Sequence, residues 1–358
     1  MRHNLLTEAL LHRSAEIARL SFPERLKGKV VAVTGAGGSI GSELCRQLTV
    51  LAPRLLLLIG HGEHSLFQIA QDLSDRGRFS DFQIVLADVA TADLIDAAFA
   101  RYRPDVVIHA AAHKHVPIVE QNLTEGARTN VLGAYTVARC AVSHGARDVV
   151  LLSTDKAVQP ANVMGLTKLA AENIWQSFPY KSDTRFITVR FGNVLGSRGS
   201  VLEIFERQIE LGVPLSLTDR RMQRYFLTIE ESASWILRAI ERAAANELFI
   251  VDSGEPIAIA ALAERLLAAH GISEYPIAEV GIRPGEKLNE QLMTGSERTA
   301  AVREERFFIV DRPSRDENLK PEIERLAEAI RSNDDANVLR SLHQLSGEQE
   351  RSTMQAAL

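Results

Sequence analysis

Short apolar runs alternate with amphipathic stretches through the first half of the chain. KVVAVTG (Lys29–Gly35) is apolar and closes on glycine, the pattern of a buried strand. SELCRQLTVLAP carries apolar residues at helical spacing and stops at Pro53. The same couple recurs in RLLLLIG with SLFQIAQDLSDRG, FQIVLADV with ATADLIDAAFARYRP, and DVVIHAAA with the long helix GARTNVLGAYTVARCAVSHG; RDVVLLST is a fifth strand. Strands that are apolar at nearly every position, joined by helices, call for a parallel α/β sheet covered on both faces.

Beyond Lys168 the rhythm changes. RFITVRFGNVLG predicts a sixth strand running into a loop, SVLEIFERQIELG a helix, and PLSLTD a short extended piece. Up to about Val310, short strands (ELFIVDSG, ERFFIVD) mix with helices (EESASWILRAIERAAA, AIAALAERLLAAHG). The expected division is a helical arm over 1–27, the doubly wound domain over 28–192, a smaller mixed α/β lobe above the sheet's carboxyl edge over 193–310, and a tail over 311–358. That tail is expected to be helical in part and frayed at its end.

A length of 358 residues suits one large α/β unit or two lobes sharing a cleft. With 46% apolar and 24% charged residues the composition is that of a globular protein, and a net charge of -5 argues against nucleic-acid or membrane-surface binding as the main task. Cys45 and Cys140 lie in apolar helical patterns, as reduced thiols of a cytoplasmic protein do, and provide neither a disulfide framework nor a metal cluster. No apolar run approaches the ~18 residues that span a bilayer, and the charges in MRHNLLTEALLHRS stand too close together for a signal-peptide core.

The turn after the first strand, TGAGGSIG, spaces Gly35, Gly38 and Gly41 three apart. Glycines there permit a tight turn, bring backbone N–H groups to a pyrophosphate, and pack helix against strand. Because this triplet joins a strand to a helix, the sheet is read as Rossmann-type and dinucleotide-binding. The second strand ends at Gly60, where an acidic residue would grip the adenosine ribose, and His61, Gly62 and Glu63 follow. Glu63 reaching the ribose fits NAD and His61 tolerating a 2′-phosphate fits NADP; both stay open. Asp88 is placed to meet the adenine amino group, and Ser39, Ile40, Val89, Ala110, Ala111 and Ala112 complete the expected cofactor set.

STDKAVQPANVMGLTKLAAE (Ser153–Glu172) has the layout of a dehydrogenase-type catalytic segment. Met164 and Lys168 share one helix face, and Thr154 ends the preceding strand, so all three face the nicotinamide. Lys168 would hold the nicotinamide ribose and add positive charge. Met164 stands where a tyrosine is usual and neither donates nor accepts a proton. The proton of an oxidised alcohol must then leave through Thr154 and Asp155 or a water. Lys156 beside Asp155 adds a second acid/base pair, which a simple dehydrogenase does not need.

TGAGGSIGSEL, HAAAHKHVPIVE, STDKAVQPANVMGLTK, RFGNVLGSRGSV, RYFLTIEE and RPGEKLNEQL together resemble the nucleotide-sugar 4,6-dehydratases of polysaccharide and glycan biosynthesis, extended short-chain dehydrogenase/reductases that act on UDP-N-acetylglucosamine. The resemblance runs from about Leu11 to Val310. It implies a tightly bound NAD(P)+, a UDP-sugar substrate and a homo-oligomer. Many members carry membrane helices before this region; their lack here implies a soluble form. The resemblance places Lys114 near the sugar or pyrophosphate, and Asn193 and the backbone around Val201 against the diphosphate and uridine. Arg224, Arg283 and Glu286 would clamp the UDP from the second lobe, an arginine fork suiting a diphosphate and a carboxylate suiting ribose hydroxyls. His113 and His115 have no third ligand at metal spacing, so no metal is expected.

The implied reaction oxidises C4 of the hexose, eliminates water across C5–C6 with Lys156 as base and Asp155 as acid, and returns hydride to C6. A lowered pKa at Lys156 and a desolvated, protonated Asp155 are expected. Members with methionine at position 164 tend to retain C5, and retention is expected here; a C5-inverting dehydratase is the alternative outcome. A UDP-hexose 4-epimerase needs no second acid/base pair and normally relies on tyrosine. A dTDP-glucose 4,6-dehydratase typically pairs aspartate with glutamate. A non-catalytic scaffold would not need Thr154, Asp155, Lys156 and Lys168 together.

Overall fold

A computed structural model describes residues 10–11, 15–17, 25–77, 79–178, 183–244, 246–312 and 318–349. Most of the expected N-terminal arm and the end of the tail lie outside these residues.

The alternation read from the sequence builds one half of the molecule. In chain order it contains β1 (Val30–Thr34), α1 (Ser39–Val50), β2 (Leu55–Gly60), α2 (Glu63–Asp75), β3 (Phe82–Leu86), α3 (Ala92–Tyr102) and β4 (Val106–His109). Next come α4 (Val116–Gln121) and α5 (Leu123–Ala127), which continues through a π-helical turn at Arg128–Leu132 into α6 (Gly133–Ser143). β5 (Asp148–Thr154), α7 (Val163–Ser177) and β6 (Arg185–Phe191) complete this half. β1 is buried at every residue and β5 at all but its last, because helices cover both faces of the sheet.

The later part of the chain contributes β7 (Asn193–Val194), α8 (Val201–Glu210), β8 (Leu215–Leu217), β9 (Gln223–Arg224), β10 (Phe226–Leu227) and α9 (Ile229–Arg242). β11 (Glu247–Val251), β12 (Ile257–Ala258), α10 (Ile259–Ala269), β13 (Ile277–Glu279), α11 (Gly295–Ala300), β14 (Val302–Glu304) and β15 (Phe307–Asp311) follow. α12 (Lys320–Arg331) and α13 (Asp335–Ser346) end the described chain.

The main sheet has nine strands in the order β14-β15-β11-β6-β5-β4-β1-β2-β3. It is parallel from β3 to β11, and β15 and β14 add an antiparallel edge. This is the expected Rossmann-type doubly wound sheet. One assignment differs from the sequence reading. ELFIVDSG and ERFFIVD, expected in the smaller lobe, supply β11 and β15 of the main sheet. The physical reason is burial: Leu248, Phe249, Ile250 and Val251 are all fully enclosed, which a strand achieves inside a covered sheet. α9 is part of that cover, its Trp235, Ile236 and Ile240 packing in one core with Val31 and Leu56.

The smaller body is built around α8, α10 and the short pairs β8–β13 and β9–β12. Leu10 and Leu11, from the described part of the arm, pack into its core with Phe205, Leu262 and Leu266. α12 and α13 lie on the main domain. Leu326, Val338 and Leu342 join the core that holds Val163, Met164 and Trp175, and Asn173 donates to the Leu345 and Ser346 carbonyls.

Candidate active site

The glycine turn sits at the carboxyl end of β1, where two backbones meet. Gly35 adopts φ +67, and a Cβ on it would come within 2.7 Å of the Ala111 nitrogen. A Cβ on Gly41 would lie 2.1 Å from the Gly35 carbonyl oxygen. Side chains there would fill the space between the turn and the end of β4 and push α1 from the strand. This cradle fits a pyrophosphate. Gly35, Gly38, His61, Asp88, Val89, Ala110, Ala111 and Ala112 line one cleft together with Gly37, Ser65, Thr129 and Arg198.

Ser39, Ile40, Gly41 and Glu63 are outside that lining. Ser39 Oγ accepts from the Arg198 backbone nitrogen at 3.0 Å, tying the turn to the loop after β7. Ile40 packs toward the core, Gly41 lies beneath the turn, and Glu63 is exposed at the start of α2. Asp88 does not stand free: Oδ2 pairs with Arg128 at 2.6 Å, and Oδ1 accepts from the Ala90 nitrogen.

The catalytic candidates converge where β5 ends. Asp155 is fully buried, and its Oδ1 accepts from Thr154 Oγ1 and from Lys156 Nζ, each at 2.9 Å. Its Oδ2 has no hydrogen-bond partner among the described residues. Lys156 Nζ also donates to Asn193 Oδ1 at 3.1 Å, so β7 of the second lobe meets the end of β5 at this amine. Met164 is buried at the start of α7. Asn162 caps that helix, accepting from the Gly165 nitrogen, while Glu120 accepts from the Val163 nitrogen. One turn on, Lys168 is buried with Nζ on the Leu152 carbonyl at 2.7 Å, and desolvation brings its pKa down to about 8.

Behind the strand lies a buried ionic frame. Glu172 pairs with Arg190 at 2.7 Å and Arg312 at 2.8 Å, and both arginines also hold Glu297. Burial by itself would raise the Glu172 pKa; Arg190 and Arg312 overcome it and hold it at about 2. Ser153, next to Thr154, donates to the same carboxylate. The end of β5 is thus fixed to β6, α7 and α11.

Lys114 reaches Ser197 Oγ at 3.0 Å. Val201 opens α8, and Oγ of Ser200 before it is buried without a partner among the described residues. Lys114, the helix start and that hydroxyl present donors suited to an anion. Arg283 is exposed, and Glu286 Oε2 accepts from the Arg283 backbone nitrogen at 3.4 Å. Arg224 departs from the expected role. It is buried, and its guanidinium donates to the carbonyls of Gln223, Lys287 and Leu288 at 2.7–2.8 Å. A buried guanidinium needs acceptors, and it finds them in its own neighbour Gln223 and in the backbone of the 283–290 strap rather than facing a diphosphate. His113 meets Glu125 at 3.2 Å, and His115 lies against Gly199.

That strap brings in residues the sequence reading passed over. Asn162 Nδ2 donates to the Gly285 carbonyl at 2.9 Å, and Lys287 Nζ to the Val158 carbonyl at 2.8 Å. Glu290 is buried with Oε1 4.0 Å from Lys156 Nζ. No periodicity marks Glu290 in the sequence; the single bridge of Gln223 to Asn289 that sets the strap beside β9 forms only in the fold.

The model of the family described as "Polysaccharide biosynthesis protein" matches residues 31–312. The chain belongs to that family. The match takes in the glycine turn, the Thr154–Lys168 segment and the strap. A relative within the family's reach is the probable polysaccharide biosynthesis protein EpsC of Bacillus subtilis (strain 168), 47% identical over 276 residues, 76% of this chain and 46% of the relative. The chain therefore spans about half the length of that relative. The UDP-N-acetylglucosamine 4,6-dehydratase (inverting) of Campylobacter jejuni is 32% identical, covering 79% of this chain and 83% of that one. Among solved structures, Pen from Bacillus thuringiensis superposes with a TM-score of 0.76 at 32% identity, covering 81% of this chain and 91% of Pen. The family setting is that of nucleotide-sugar dehydratases and epimerases of the extended short-chain dehydrogenase/reductase type. Among the described residues no helix is long and apolar enough to cross a membrane.

Proposed function

We propose that the protein is a UDP-N-acetylglucosamine 4,6-dehydratase that retains C5 and yields UDP-2-acetamido-2,6-dideoxy-α-D-xylo-hexos-4-ulose. The observation that carries this reading is the Asp155–Lys156 pair, joined by one 2.9 Å hydrogen bond at the end of the catalytic strand. Moving one proton across that bond turns the ion pair into a neutral amine and a protonated carboxyl. One transfer arms the base and the acid together.

Bound NAD(P)+ supplies the hydride acceptor at C4 and, later, the donor to C6. Gly35, Gly38, His61, Asp88, Val89 and Ala110–Ala112 would hold its dinucleotide, and Lys168 its nicotinamide ribose. Thr154, hydrogen-bonded to Asp155, leads the C4 hydroxyl proton to a water, since Met164 has no proton to exchange, and a proton from solvent restores the Asp155–Lys156 pair after turnover. The C4 ketone acidifies C5–H. Lys156 takes that proton, Asp155 protonates the leaving C6 oxygen, and water departs. Lys114, Asn193, the α8 start at Val201, Arg283 and Glu286 would receive the UDP-sugar, while Arg224 acts on it through the strap it holds.

Inversion requires a second donor on the opposite face of the ring. A thioether cannot take part in that relay, so the proton returns from Lys156 on the face that lost it. The test is NMR of the first-formed product in D2O. The expected product is the xylo-configured 4-keto sugar with deuterium at C5. An L-arabino-configured 4-keto sugar at the earliest times overturns retention, and a C4 epimer without dehydration overturns the dehydratase reading. A C5 proton carried over without exchange contradicts a solvent-exchangeable lysine base.

A further inference from the structure

Lys156 has three N–H donors when protonated. Asp155 Oδ1 takes one at 2.9 Å and Asn193 Oδ1 a second at 3.1 Å. The remaining carboxylate beside the amine is that of Glu290, with Oε1 at 4.0 Å. Glu290 is 7% exposed, and its Oε2 has no hydrogen-bond partner among the described residues, although Lys287 Nζ lies 3.6 Å away. A carboxylate this buried is costly unless something compensates it. Its neighbours are two lysines, one of which, Lys287, is already anchored to the Val158 carbonyl. The strap is fixed just ahead of Glu290: Arg224 grips the carbonyls of Lys287 and Leu288, and Asn162 grips that of Gly285.

We propose that Glu290 is the positioning residue of Lys156, holding the amine's third N–H and stabilising the ammonium that forms when Lys156 takes the C5 proton. The inference rests on the dehydratase reading of the same site. In the elimination the C5–H bond breaks and an N–H bond forms on Lys156. The electron pair left on C5 becomes the C5–C6 double bond as C6–O breaks, and the Asp155 proton goes to the departing oxygen as water. Positive charge appears on Lys156, and the carboxylate waiting at 4.0 Å closes on it. The charged groups that act on the amine are Asp155 from its own segment, Glu290 from the strap and Lys114 from the loop after β4, while Lys287 lies against the other oxygen of Glu290.

The test compares the holoenzyme with Glu290→Gln and Glu290→Asp variants, using UDP-N-acetylglucosamine across pH. Removing a carboxylate beside an ammonium lowers that ammonium's pKa, so the ascending limb of the kcat profile in E290Q should move down by about one pH unit. kcat should fall at least about tenfold with KM little changed. E290D, which withdraws the carboxylate by one carbon, should shift in the same direction by less. A fall in kcat without a shift of the limb means a merely structural role and overturns the proposal, as does a wild-type profile. If E290Q does not fold, E290D decides by the same criteria. Independently of turnover, the Lys156 Cε resonance of 13C-lysine-labelled holoenzyme, assigned by its loss in Lys156→Gln, should titrate at lower pH in the variants. Identical titrations overturn the inference even if the wild type forms no 4-keto product, an outcome that by itself sinks only the dehydratase reading.

Discussion

Lys156 and Lys168 are both lysines near one strand end, yet their surroundings give them different chemistry. Lys156 is partly accessible and shares its donors between Asp155 and Asn193. Lys156→Ala should abolish turnover while leaving the dinucleotide bound, because binding rests on the glycine turn. A variant that keeps more than about a tenth of wild-type activity removes Lys156 as the base. Lys168 is enclosed, and its folded pKa of about 8 lies below the ordinary 10.5. Between those values the unfolded chain binds more protons than the folded one, so stability rises with pH across the window. The protein without dinucleotide should gain up to about 3 kcal/mol from this group between pH 8 and 10.5. In Lys168→Met that increment should be missing; equal pH slopes in urea unfolding of both proteins would contradict the assignment.

At the scale of elements, the Glu172–Arg190–Glu297–Arg312 frame clamps α7, β6, α11 and the end of β15 together. Removing one charge strands the others in a dry interior. Glu172→Gln should cost about 3–5 kcal/mol in urea unfolding at pH 7. The sign in pH follows from a folded pKa of about 2 against 4.5: the contribution is complete above pH 4.5 and fades as pH falls toward 2. The wild type and Glu172→Gln should therefore converge in stability on acidification. A constant gap down to pH 2 would show that the loss is one of packing and not of charge.

For the whole molecule, α12 and α13 behave as part of the main domain's core. Leu342 is fully buried in the cluster that contains Met164 and Trp175. Leu342→Ala should lower stability by about 2–5 kcal/mol. It should do so in a single transition seen by Trp175 emission in a Trp235→Phe background. Loss of α13 at low denaturant, with Trp175 unchanged, would mean that the tail folds apart from the sheet.

The alternation of apolar runs and amphipathic helices determined the parallel sheet, because a strand covered on both faces must be apolar throughout. The glycine turn and the Thr154–Asp155–Lys156 strand end were legible for a related reason: their geometry is local, set by where a strand stops and a helix starts. Tertiary structure alone decided what lies far apart in sequence. It turned Arg224 onto carbonyls more than 60 residues away, carried β11 and β15 from the expected lobe into the main sheet, and set Glu290 beside Lys156. It also gave Asp88 to Arg128 and docked α13 against α7. Periodicity records which face of an element is buried, not what buries it; a buried charge finds its partner only when distant segments pack together.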